Sequence, residues 1–179
     1  MRILKLPFGL CLALFGSALC VQAVPPPPRP HCENLNGRIS ETIITGIDDA
    51  VAGNANLDPI PRVLGDVSGD LKGSATSIIT SLVPASPTVF DATTVDIFLT
   101  EGGDLLYAAG SAVFTQIDGQ APGNFHDSLT LTISGGTGKF AGATGTINVT
   151  GEGHNVFDPT FGAGYFDLKY KGQACGLTK

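Results

Sequence analysis

Ser134 to Gly145 reads SGGTGKFAGATG, five glycines in twelve residues around a single lysine. A phosphate cradle needs a helix N-terminus behind it and a parallel sheet behind the helix, whereas a strand-to-strand turn needs neither. A Walker loop would require glycine at 133 and Ser or Thr after Lys139, where this chain has Ile133 and Phe140. A dinucleotide fingerprint would run on into a helix, but Thr146-Ile147-Asn148-Val149-Thr150 resumes an alternation of period two. The stretch therefore turns a chain between two strands. Its glycines accommodate positive φ and close backbone approach, and Phe140 is expected to plug the end of the core.

Working outward, apolar and polar residues alternate through segments bounded by Gly, Asn, Asp or Pro, which is a strand signature. Strands are expected at about 37–46, 65–83, 94–100, 105–116, 127–134, 146–155 and 164–173, the second long enough to bend or split at Gly69 or Gly73. Pro84, Pro87 and Pro122 are expected between strands, and Asp58 to Leu64 hints at a helical turn. Without helical crossovers, neighbouring strands pair antiparallel. In the last strand Phe166, Leu168 and Tyr170 should face the core, and Tyr165, Asp167, Lys169 and Lys171 the solvent. Seven or eight such strands in one small domain close as a barrel or stack as a sandwich. A meander whose ends meet is a closed barrel.

The residues LTISGGTGKFAGATGTINVTGEG, Leu131 to Gly153, resemble the strand, GGTG turn and strand of the allene oxide cyclase and dirigent barrel-like superfamily. The likeness is tight over about 128–153, looser in GDVSGDLKGSATSI and DIFLTEGGDLLYAAGSAVF, and absent from the proline-rich stretch near the N-terminus. It implies an all-β, closed antiparallel eight-stranded barrel with a central apolar cavity, and little helix. Plant members steer the radical coupling of phenols or cyclise an unstable fatty-acid epoxide without a cofactor, often as trimers; a homo-oligomer, trimer or dimer, is the corresponding expectation here. The GGTG turn marks the fold and not the chemistry, so no catalytic residue is carried over.

The ends of the chain speak to its compartment. Residues 1–23 carry Arg2 and Lys5, an apolar run from Phe8 to Val21 and the exit Val21-Gln22-Ala23, the pattern of a secretory signal peptide. A lipoprotein would be acylated at Cys20, but Leu19 is too large for the position before it. The run falls short of the roughly 18 apolar residues of a membrane span. Residues 24–35 form a proline-rich leader containing VPPPPRP, and residues 36–176 the barrel domain. With the signal removed, Cys32 and Cys175 remain near the two ends of the chain, and an oxidising compartment would let them pair. The protein is expected to be secreted, or periplasmic in a bacterium. Losing Arg2 and Lys5 from ten basic residues leaves eight against sixteen acidic ones, a balance that disfavours nucleic acid as a partner.

Candidate chemistry is sparse. Pairing Leu131 with Val149 would set His126 opposite His154 and Ser128 opposite Glu152, placing His126, Glu152 and His154 on one face with Thr130, Thr132, Asn148 and Thr150. That face reads as a solvated outer surface, with the two histidines and the glutamate as its only metal-ligating set. Arg38, Glu41, Asp70 and Asp96 are charged residues on otherwise apolar strands. Most such residues face water; one turned inward would acquire a raised pKa and could move protons. No nucleophile elbow, HExxH motif or paired-carboxylate signature is present.

Three functions are expected to compete. The barrel holds a small apolar molecule in its lumen; it is a cofactor-free cyclase, isomerase or coupling-directing protein of dirigent type; or it is a packed scaffold. An apolar cavity favours the first, one or two inward charges the second, and interlocked large side chains the third. The expected lining is Phe98 or Ile97, Phe114 or Val113, Leu131, Val149 and Phe166.

Overall fold

The computed structural model describes residues 31–44, 62–120, 123–156 and 164–178. Residues 1–23, read above as a signal peptide, the proline stretch 24–30 and Pro122 lie outside these residues. Eight strands form a closed barrel in simple sequence order: β1 (Cys32–Ile44), β2 (Arg62–Gly69), β3 (Gly73–Ser86), β4 (Val89–Thr100), β5 (Leu105–Gln116), β6 (Phe125–Gly136), β7 (Thr144–His154) and β8 (Tyr165–Cys175). Every neighbouring pair is antiparallel, and β1 closes on β8 from Cys32 opposite Cys175 to Thr42 opposite Tyr165. Closure leaves the sheet without a free edge along its shared length. No helix among the described residues is long and apolar enough to cross a membrane.

The second expected strand splits completely. β2 and β3 form a hairpin around Gly69 to Gly73, and β2 begins at Arg62, so the end of the expected helical turn is strand, while residues 58–61 lie outside the described set. β1 begins at Cys32, inside the expected leader, because register with Cys175 carries the ladder to the disulfide. Pro84 lies within β3 rather than between strands. It sits where the β3–β4 register shifts, beyond the part of β3 that pairs with β2, so its missing N–H interrupts no second ladder.

Alternation is strict where the core is thickest. Leu129, Leu131 and Ile133 of β6 are buried while Ser128, Thr130 and Thr132 are exposed; in β8, Phe166, Leu168 and Tyr170 are buried and Tyr165, Asp167, Lys169 and Lys171 are exposed. The glycine stretch is the β6–β7 connection, with a 3₁₀ turn at Gly138–Phe140. Thr137 clamps it to β5: its N–H donates to the Leu105 carbonyl at 2.8 Å, and its Oγ1 accepts from the Leu105 N–H at 2.9 Å. Gly138 has φ +53°, and a Cβ there would strike the Asp104 carboxylate. Phe140, 1% exposed, closes the core beneath the turn, and full burial of such a ring contributes roughly 1.5–3 kcal/mol.

The barrel thus has two distinct ends. At one, the Cys32–Cys175 disulfide joins the first and last strands. There the Tyr170 hydroxyl accepts from the Leu71 N–H at 2.9 Å and donates to the Ser68 carbonyl at 3.0 Å. The other end is aromatic: Phe90, Phe114, Phe125 and Phe166 form a chain with centroid spacings of 5.8, 6.4 and 6.1 Å, two of the contacts edge to face.

Candidate functional site: buried carboxyls in the lumen

Three carboxyl side chains point into the barrel from three strands: Glu41 of β1, Asp96 of β4 and Asp127 of β6, at 5%, 2% and 6% exposure. Ser77 of β3 and Thr94 of β4 stand among them. Each arrives there by parity, since Glu41 alternates with Ile39 and Ile43, Asp96 with Thr94 and Phe98, and Asp127 with Phe125 and Leu129. Glu41 and Asp96 correct the expectation that such charges face water; Arg38 and Asp70 meet it. Arg38 pairs on the outer surface with Asp167 at 3.2 Å, and Asp70 accepts from the Asn36 backbone and side chain at 2.8 and 2.6 Å.

Small residues make room for the cluster. A Cβ at Gly65, opposite Glu41, would strike the Ser40 carbonyl and come within 2.5 Å of Glu41 Cγ; one at Gly110, opposite Thr94, would strike Thr94 Oγ1. A glycine inside a strand marks such a close approach.

Hydrogen bonds link the polar groups unequally. Thr94 Oγ1 donates to Asp96 Oδ2 at 2.5 Å and Ser77 Oγ donates to Asp96 Oδ1 at 2.5 Å. Ser77 Oγ also lies 3.4 Å from Glu41 Oε1. A serine hydroxyl has one proton, and Asp96 receives it, so the contact with Glu41 is satisfied when Glu41 is protonated and donates to Ser77 Oγ. Burial, reinforced by the charge of Asp96, pushes Glu41 up to about 8, which supplies that proton near neutrality. Burial also raises Asp96, against the opposing effect of its two hydroxyl donors. Asp127 is pushed up to about 7 by burial and then by the charge of Asp96, and its Oδ1 is buried with no hydrogen-bond partner among the described residues. The order Glu41, Ser77, Asp96, Thr94 is a short proton wire beside an acceptor that lacks a donor.

Of the expected lining residues, Phe98, Phe114, Leu131, Val149 and Phe166 are all buried, while Ile97 is half-buried and Val113 exposed, which settles both open pairs of facings. Phe114 is directly opposite Asp127, and Phe166 directly opposite Glu41. Asp127 is the functional candidate the sequence reading passed over. Its signal was present: Asp127 shares parity with Leu129, Leu131 and Ile133.

The outer histidine cluster assembles differently from expectation. Leu131 pairs with Ile147, not Val149, a slip of two residues that keeps the face but sets His126 opposite Glu152 and Ser128 opposite Thr150. His126 Nδ1 and His154 Nε2 lie 3.7 and 3.8 Å from the two Glu152 oxygens, too far for hydrogen bonds, and His154 stacks on Tyr165 at 4.7 Å. Glu152 and His154, with Arg38, Thr150, Asp167 and Lys169, line an open depression of about 320 Å³. Among the described residues no group of three or more His, Cys, Asp or Glu is placed to hold a metal ion. Compared with known proteins, the chain matches no family model, no curated protein and no solved structure.

Proposed function

We propose that the barrel takes a small, largely apolar molecule into its lumen and holds one polar group of it against the Glu41, Asp96 and Asp127 carboxyls. The observation that carries this reading is Asp127 Oδ1, a buried acceptor with no partner among the described residues, beside Asp96, whose two oxygens are both bonded. An orphan acceptor costs on the order of 1–3 kcal/mol, a cost that a bound donor would relieve. The resemblance of residues 131–153 to the allene oxide cyclase and dirigent barrels supports the same lumenal use, and the disulfide supports export to an oxidising compartment, secreted or periplasmic. Assembly as a dimer or trimer is part of the proposal: Leu64, Val95, Leu99, Tyr107 and Val113 lie exposed on the outer face of β2–β5.

A second reading, a cofactor-free isomerase or cyclase, is favoured by the wire. The Asp96 carboxylate takes a proton from the bound molecule, protonated Glu41 returns one, and Ser77 passes the proton gained by Asp96 to Glu41 to restore the starting state. Native mass spectrometry of protein purified from its own host tests the lumenal reading. The expected result is a co-purifying small molecule that is lost on denaturation. A ligand-free protein whose interior is packed without a void would overturn both readings and leave the scaffold.

A further inference from the structure

The lumenal reading leaves open what kind of polar group the carboxyls meet, and the inference drawn here rests on that reading. Buried charge in the barrel can have only one sign: the buried carboxyls are Glu41, Asp96 and Asp127, and among the described residues no Lys, Arg or His is buried to balance them. The hydroxyls among the carboxyls are already engaged, since Ser77 and Thr94 serve Asp96. Asp127 Oδ1 is thus left without a donor among the described residues, and a bound molecule would supply one. A metal ion is a poor candidate, because the carboxyls are not grouped to ligate one. The walls beside them are aromatic: Phe114 opposite Asp127, Phe166 opposite Glu41, and Phe125 two residues from Asp127 on the same face.

Carboxylates framed by aromatic rings are the chemistry that recognises an ammonium group, which donates three hydrogen bonds and is attracted to ring faces. We propose that the lumen is built for a protonated organic amine, its ammonium group donating to Asp127 and set among Glu41 and Asp96, its apolar body against Phe114, Phe125 and Phe166. A neutral alcohol would satisfy the orphan acceptor but leave the charge unbalanced, and an organic anion would be repelled. The site thus selects by sign as well as by apolarity.

Calorimetric titration of the full, disulfide-bonded protein at neutral pH, using 2-phenylethylamine, 2-phenylethanol and 3-phenylpropionate, tests this directly. The expected order is the amine about tenfold or more tighter than the alcohol, the gain of a hydrogen bond to a charged group, with no binding of the carboxylate. Asp127→Asn should abolish the preference for the amine while keeping the alcohol. Asp96→Asn, which retains Asp127, should reduce the preference and serves should Asp127→Asn fail to fold. Binding of the alcohol or the carboxylate as tightly as the amine would overturn the amine assignment and leave the lumenal reading standing. Failure of all three probes to bind would overturn both.

Discussion

At the disulfide end of the barrel the Tyr170 hydroxyl and the Thr137 side chain are bonded within the chain, whereas toward the aromatic end three raised carboxyls, one with an oxygen unpaired among the described residues, sit near phenyl rings. The first end has Phe140 closing the core beneath the glycine turn, a phenol that both accepts and donates, a covalent bond between the terminal strands and a threonine clamp on the turn. The second carries polar groups whose charged forms are penalised by burial. One end is optimised for stability and the other departs from that optimum, the usual relation between scaffold and site.

The largest effect should come from opening the stable end. Cys32→Ser with Cys175→Ser removes a cross-link spanning 143 residues, and in the chain-entropy model this costs up to about 5 kcal/mol. Urea denaturation of oxidised and variant protein measures it; equal midpoints would show that the ladder alone holds the ends together.

Next comes the pH response of the acidic end. Glu41 has its folded pKa raised from 4.5 to about 8, so the native state binds more protons than the unfolded chain over that interval. The stability tied to its protonated form is full below 4.5 and is lost as pH rises through about 8; Asp127, raised from 3.8 to about 7, acts in the same direction. Glu41→Gln should therefore gain on wild type as pH rises, on the order of a few kcal/mol by the alkaline limit. Parallel melting curves of the two proteins across pH would refute this.

Tyr170→Phe follows. It leaves the buried Leu71 N–H and the Ser68 carbonyl without the hydroxyl and should cost about 1–3 kcal/mol with little dependence on pH. A pH-dependent loss would mean that the two ends are coupled. The smallest effects lie in the glycine turn. Gly138→Val puts a branched side chain at φ +53° and should cost about 1–2 kcal/mol, while Lys139→Ala, with its ammonium exposed 4.8 Å from the Phe140 ring, should change stability by no more than about 0.5 kcal/mol. A nucleotide that stabilised wild type but not Lys139→Ala would restore the phosphate reading of the turn.

Period-two alternation and glycine punctuation were enough for an antiparallel meander, the turn at 134–145 and the facing of β8. The choice of a closed eight-stranded barrel over a sandwich leaned on the resemblance of residues 131–153, and the pairing of Cys32 with Cys175 on setting aside the two cysteines of residues 1–23. The lumenal site was only half legible. Glu41 and Asp96 stood out as charges on apolar strands, but a charge's direction depends on parity counted from a known strand start, and Asp127 lay at the very start of the expected strand. Register was likewise beyond local signals, because Leu131 opposite Ile147 and Leu131 opposite Val149 bury the same face equally well. That Glu41, Ser77, Asp96 and Asp127 meet was decided by the tertiary structure alone. They come from four strands spread over some ninety residues of sequence, and only closing the sheet on itself turns their four inward faces toward one another.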